Sequence, residues 1–223
     1  MTRVSRVSSA GAKATVAQLL QIPPIGLAAD LAVPAAAKGI VVFAHGSGSS
    51  RLSPRNMFVA RDLQNAGFGT LLFDLLTEAE AEDRNNVFDI PLLADRLLLA
   101  TNWLTERTEV GDLPVGYFGA STGAAAALVA AAQSGAEVAA IVSRGGRPDL
   151  AGEALRRVTS PTLLIVGGDD LPTLAVNRDA LAQLSCEKTL EIVPGATHLF
   201  EEPGTLEAVV RLARLWFGRH LHP

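Results

Sequence analysis

Through most of its length the chain alternates short apolar runs with longer stretches of helical spacing. Gly39–Ala44, Phe68–Phe73, Leu113–Phe118, Val138–Ser143, Thr162–Gly167 and Leu190–Val193 have strand length and strand composition. The unbroken apolar character of Gly39–Ala44 is that of a strand covered on both faces. Helical spacing predicts helices over Pro54–Ala66, stopped by Gly67, and over Ile90–Glu106, where Leu93, Leu97, Ala100 and Leu104 share a stripe. Further helices are expected at Ala124–Ala132, Asp149–Arg157, Thr173–Leu184 and Thr205–Phe217. Ala14–Gln21 and Leu27–Val33 read as an edge hairpin joined across Pro23-Pro24, and the acid-rich stretch from Asp74 to Asn86 as a surface loop. Strand–helix–strand alternation closes as a mostly parallel sheet with helices on both faces, an α/β architecture of about eight strands. The whole chain, 1–223, is expected to be one domain, with 1–13 a flexible N-terminal segment.

Composition narrows the function classes. A net charge of −4 gives no basic face for nucleic acid. The single cysteine, Cys186, excludes an internal disulfide and a thiolate zinc cluster, and fits a reducing, cytoplasmic setting. Arg3, Arg6 and Lys13 are followed by no long apolar segment of a secretory signal. The longest apolar stretch, Gly123 to Val142, is interrupted by Gln133, Ser134, Gly135 and Glu137, so no membrane span is expected. The histidines lack metal-ligand spacing, and the carboxylates of Glu78–Asp83 read as solvated, so no metal is expected. The glycine-rich segments match neither a phosphate loop nor a dinucleotide fingerprint, and no cofactor is implied.

Reactive groups of such sheets gather beyond the carboxyl ends of the strands. Four of those ends carry suggestive residues. Gly119-Ala120-Ser121-Thr122-Gly123, set between an apolar run and an alanine-rich one, has the spelling of a nucleophile elbow. A serine on that strained turn needs small flanks, because side chains there would collide with neighbouring backbone. Gly167-Gly168-Asp169-Asp170 follows a strong strand, Gly195-Ala196-Thr197-His198 another, and His45-Gly46-Ser47-Gly48 a third. Serine needs a base near neutral pKa, and the base needs a carboxylate to hold its tautomer. The order Ser121, Asp170, His198 is that of α/β-hydrolases. Asp170 is preferred to Asp169 because the first positions after a strand make the turn. Backbone N–H groups of Thr122 and Ser47 are the expected oxyanion donors. His45 reads as a structural hydrogen-bonder, and His220 and His222 as tail residues.

Arg51 and Arg55 follow the His45–Gly48 loop, and Arg144 and Arg147 follow the strand ending at Ser143. Guanidinium forks bind carboxylate or phosphate, so Arg51, Arg144 and Arg147 are candidates for substrate binding; equally, they can staple loops to Asp74, Glu78, Glu80, Asp83 or Asp149. Only 17 residues, Arg144 to Ser160, join the sixth strand to the seventh, too few for a lid domain.

The segments AHGSGSSRLSPRN, GYFGASTGAAAALVAAA, SRGGRPDL, PTLLIVGGDD and VPGATHLFEEPG resemble the dienelactone-hydrolase-like branch of the α/β-hydrolase superfamily, from about Leu31 to Phe217. They are most similar to small bacterial members, some of which occur attached to a phosphoribosyltransferase. The resemblance implies an eight-stranded, mainly parallel sheet and a Ser121–Asp170–His198 triad. Dienelactone hydrolases proper carry cysteine at the elbow and a glutamate after the third strand; Ser121 and the His45–Gly48 loop depart from that pattern, away from dienelactone and toward general esters. The expected function is a lidless serine esterase acting on small soluble substrates. A thioesterase or lactonase, or a non-catalytic partner domain with a vestigial site, are the alternatives.

Overall fold

A computed structural model describes residues 17–133 and 137–222; the proposed N-terminal segment 1–13 lies outside them. Eight strands form one sheet: β1 (Gln18–Ile22), β2 (Leu27–Ala32), β3 (Ile40–Ala44), β4 (Gly69–Phe73), β5 (Val115–Ala120), β6 (Ala140–Arg144), β7 (Thr162–Gly167) and β8 (Lys188–Val193). Their order across the sheet is β1-β2-β4-β3-β5-β6-β7-β8. The β1–β2 and β2–β4 pairs are antiparallel and all others parallel. The edge hairpin therefore exists, although residues 14–16 of its expected first strand lie outside the described part.

Alternating side chains divide the core into two layers. Ile40, Val42 and Ala44 of β3 face the layer that contains α4 (Ile90–Thr105) and α5 (Thr122–Ala131). Val41 and Phe43 face the opposite layer, closed by α1 (Pro54–Asn65) and α7 (Thr205–His220). The stripe Leu93, Leu97, Ala100 and Leu104 of α4 is buried. Nearly every residue of α5 is buried, and its alanines let the helix lie flat on the sheet. α6 (Leu171–Gln183) follows β7.

Three local expectations are corrected. The stretch after Asp74 is no plain loop: it holds two short helices, α2 (Glu78–Ala81) and α3 (Arg84–Phe88). Thr77 and Glu80 form a capping box, in which the Thr77 hydroxyl accepts from the Glu80 amide and Glu80 from the Thr77 amide. Helices of one turn lack the apolar repeat that periodicity detects. The segment Pro148–Arg157 is 3-10 rather than α-helical, and is broken at Gly152, whose φ is +52°. β5 runs two residues and β6 one residue past the expected ends at the carboxyl side, to Ala120 and Arg144. Between β6 and β7 there is only this 3-10 segment, and no lid covers the carboxyl edge among the described residues.

Gly218 sits exposed inside α7, with nothing within 4 Å of an added Cβ. Alanine there removes unfolded-chain freedom without a clash. Gly218→Ala is expected to stabilise the protein by about 0.5–1 kcal/mol, read as a higher urea midpoint with unchanged m-value.

Candidate active site

The sheet order reverses its direction of growth between β3 and β5, and the crevice beyond their carboxyl ends is where such folds place ligands. Ser121 stands there with φ +51° and ψ −121°, a conformation non-glycine residues adopt only when the surroundings impose it. The imposing contacts are visible. A Cβ on Gly119 would sit 2.4 Å from Ala124 Cα, and one on Gly123 would sit 2.1 Å from the Ala44 carbonyl oxygen. The Ser121 amide donates to the Arg144 carbonyl at 3.3 Å, and the Arg147 amide to the Ser121 carbonyl at 3.1 Å. The elbow is thus gripped between β3 and the end of β6.

His198 lies on the loop after β8. Its Nδ1 is 2.7 Å from Asp170 Oδ2. Asp170 is also the N-cap of α6, its Oδ1 accepting from the Thr173 amide at 3.4 Å. Burial alone would raise the Asp170 carboxyl, but the bonds from Thr173 and His198 outweigh it and hold the group below its ordinary value. Asp169 is exposed instead, with its amide bound to the Ala196 carbonyl. Ser121 and His198 both line one cavity of about 200 Å³, together with Ser47, Arg55, Asn56 and Arg144. A larger cavity of about 730 Å³ lies beyond the 46–50 loop, but neither Ser121 nor His198 borders it. The smaller cavity is the candidate site, because it holds the groups that can react.

The Ser47 amide is already engaged, donating to Thr122 Oγ1 at 2.9 Å. The Thr122 amide opens α5, where the first N–H groups have no partner within the helix. His45 is held at both ring nitrogens: Nδ1 lies 3.0 Å from the Gly46 carbonyl, and Nε2 accepts from the Leu75 amide at 3.1 Å. That pattern fixes the neutral ring, protonated on Nδ1. Burial pushes the His45 pKa down, against the opposing pulls of the Gly46 carbonyl and the Asp74 charge.

The arginines separate cleanly. Arg51 Nη1 donates to Asp74 Oδ2 at 2.7 Å and its Nε lies 3.6 Å from Asp30 Oδ2, tying the loop after β3 to β2 and β4. Arg147 donates from Nε and Nη2 to both carboxylate oxygens of Asp149, at 2.8 and 2.6 Å. Neither borders the cavity holding Ser121. Arg147 is therefore a loop staple with its fork filled by Asp149, whereas Arg51 is paired with Asp74 and Asp30 but borders the larger cavity, and its Nε has no hydrogen-bond partner among the described residues. Arg144 is different: it is 7% exposed, borders the cavity, and its Nε has no hydrogen-bond partner among the described residues. Burial and the neighbouring Arg55 push its pKa down to about 10, so it stays cationic at neutral pH.

Sequence reasoning missed three supports. Asn56 borders the cavity from the first turn of α1. Glu202 accepts from both the Thr197 amide and hydroxyl, at 3.1 and 2.6 Å, and so holds the loop carrying His198. Asn177, fully buried in α6, donates to the Gly146 carbonyl at 2.9 Å and pins the loop after β6. An asparagine inside the apolar face of a helix pattern was the one available signal for Asn177. Among the described residues no group of three or more His, Cys, Asp or Glu side chains is placed to hold a metal ion.

A parallel sheet with a serine on a strand-to-helix turn, and a paired His and Asp at the same edge, defines the α/β-hydrolase class. Within it, the chain belongs to the dienelactone hydrolase family, whose model matches residues 27–213. It is similar to the crystal structure of a dienelactone hydrolase from Anabaena variabilis ATCC 29413, with 57% identity, a TM-score of 0.88, and coverage of 93% of this chain and 98% of that one. The fold alone is shared with Est1E from Butyrivibrio proteoclasticus, at 15% identity and TM-score 0.76, over 92% of this chain and 98% of that one. A provisionally named phosphoribosyl transferase of Mycobacterium tuberculosis (strain ATCC 25618 / H37Rv) is 61% identical over 198 residues, 89% of this chain. That match takes in 45% of the relative, so the chain spans a little under half its length.

The His45 environment yields a stability test. With its folded pKa lowered, the unfolded chain binds the proton first on acidification. The stabilisation is complete above the unfolded pKa of about 6.5 and is lost as pH falls below it toward the folded pKa. Urea midpoints at pH 7.5 and 5.5 should therefore fall less in His45→Gln than in wild type. Parallel pH slopes would contradict the buried, neutral ring.

Proposed function

We propose that the protein is a serine hydrolase of carboxylic esters that works through an acyl-enzyme, with a small-molecule ester as its partner. The observation that carries this reading is the 2.7 Å contact of His198 Nδ1 with Asp170 Oδ2 at the cavity that Ser121 borders. Ser121 Oγ attacks the ester carbonyl carbon while His198 Nε2 takes the hydroxyl proton. Asp170 accepts from Nδ1–H, keeping Nε2 free as a base and stabilising the imidazolium. The carbonyl electron pair moves to oxygen, and that oxyanion is held by the Thr122 amide at the positive end of α5. Ser47 N–H is the second donor: it leaves the neutral Thr122 hydroxyl for the anion, the stronger acceptor. The tetrahedral intermediate expels the alcohol, which takes the proton from His198. Water, deprotonated by His198, then attacks the acyl carbon; the carboxylic acid departs and Ser121 recovers its proton.

Membership of a hydrolase family and the 57% identical dienelactone hydrolase support hydrolysis as the reaction. Thioesters and lactones present the same carbonyl to the same groups, so ester, thioester and lactone are one chemistry here. The single free cysteine goes with a cytoplasmic setting. No helix among the described residues is long and apolar enough to cross a membrane.

The test is turnover of short-chain nitrophenyl esters. Ser121→Ala should lower kcat by ~1000-fold or more, and Asp170→Asn by at least about 100-fold, with folding intact by circular dichroism. A Ser121→Ala protein as fast as wild type would sink the reading. An equal effect of Asp169→Asn would remove Asp170 from its role.

A further inference from the structure

The cavity that Ser121 borders, about 200 Å³, is smaller than the roughly 300–1000 Å³ usual for ligand pockets. Its larger neighbour, about 730 Å³, is of ligand size. The two share a wall: Gly46, Ser47 and Ser49, on the loop after β3, border both. The Ser47 amide tethers that wall by donating to Thr122 Oγ1 at 2.9 Å, and Thr122 borders the larger cavity too. A Cβ on Gly48 would meet nothing within 4 Å, so open space lies beside the loop at that point. Ala28, Leu75, Leu76, Val87 and Leu93 line the larger cavity away from the wall, and the exposed Leu52 borders it as well. Its polar lining is largely engaged. His45 is bound at both ring nitrogens, the Thr77 hydroxyl belongs to the capping box with Glu80, and Arg51 is paired with Asp74. Charge also works against an anion, since Asp74 and Glu78 border the space with a single guanidinium, that of Arg51. The ligand that suits such a lining is uncharged and apolar.

We propose that the larger cavity receives an uncharged alkyl or aryl group of the substrate, while the ester carbonyl lies at Ser121 in the smaller one. This deepens the esterase reading and rests on it for the reaction, though not for the binding. In that reading the Ser47 amide leaves Thr122 for the oxyanion, so the bond that tethers the wall is the one catalysis releases. The hydrocarbon group passes the wall where that bond lets go. On the far side, Leu76, Ala79 and Val87 come from the segment after β4 that carries α2 and α3. Those two short helices thereby set which side group fits, and Leu76 and Val87 are its specificity-determining contacts. The group belongs to the acyl or to the alcohol half of the ester; both are the same hydrocarbon chemistry, and two substrate series tell them apart.

The experiment has a kinetic arm and a binding arm. The kinetic arm measures kcat/KM for nitrophenyl esters from acetate to hexanoate, and for acetates from ethyl to hexyl. A buried methylene is worth about fourfold, so wild type should gain at least about tenfold along one series, and that series identifies the acyl or the alcohol half. Val87→Trp or Ala79→Trp, which fill the cavity from α3 and α2, should cut the gain at least about fivefold. Leu76→Ala, which widens it, should move the preferred length upward. Val87 is half-buried and Ala79 exposed, so both replacements spare the core, and circular dichroism checks the fold. Leu215→Trp, at an exposed position of α7, should keep the wild-type gain. The binding arm titrates 2-nonanone, an uncharged ketone that cannot be cleaved, into Ser121→Ala by calorimetry. It should bind with a negative heat-capacity change, and the added Val87→Trp should abolish binding. Esters that turn over with no gain along either series would overturn the proposal, whether or not 2-nonanone binds. So would a full gain in both tryptophan variants, or 2-nonanone that fails to bind. Absence of all ester turnover, with 2-nonanone bound and expelled by Val87→Trp, would defeat the esterase reading and leave the apolar cavity standing.

Discussion

The start of α5 lies against the end of β3 more closely than two side-chain-bearing segments can. A methyl group at Gly123 would stand 2.1 Å from the Ala44 carbonyl oxygen and 2.5 Å from that of His45. This crossing sets the position of everything at the carboxyl edge. It holds Ser121 in its left-handed conformation, and it presses the elbow onto the next loop, where a Cβ on Gly46 would be 2.9 Å from Ser121 Cβ. The His45–Gly48 loop, Ser121 and the start of α5 are therefore packed together through close backbone contacts.

Around those contacts, electrostatics is arranged by supply and denial of partners. Asp170 receives bonds from both Thr173 and His198, so it stays ionised and can orient the ring. His45 is buried with both nitrogens bound, which removes it from proton transfer and makes it a tie between β3 and the start of the segment after β4. Arg51 and Arg147 are paired with carboxylates, while Arg144, which borders the same cavity as Ser121, has no hydrogen-bond partner for its Nε among the described residues. Only the position of nearby acids decides which arginines are paired.

Much of this was legible in the residues, and the exceptions have physical causes. Alternating apolar runs and helical stripes foretold the parallel sheet, since strand burial on both faces leaves a continuous apolar signature at β3 and β7. Ser121, Asp170 and His198 stood out because each follows its own strand, and the structure brings Asp170, rather than Asp169, to His198. α2 and α3 were not legible: four- and five-residue helices owe their existence to caps such as Thr77 and Asp83, not to periodicity. Nor was the split among the arginines, because an ion pair such as Arg51 with Asp30 spans strands that sequence distance says nothing about. The Ser47–Thr122 bond is a further case, joining positions 75 residues apart.

The central claim is that Ser121 is a nucleophile activated by His198. Incubation with a serine-directed fluorophosphonate, followed by peptide mass mapping, tests it most directly. A single adduct on Ser121 in wild type, slowed at least about 100-fold in His198→Ala, is the predicted result. No adduct on Ser121, or labelling at the same rate without His198, would contradict it.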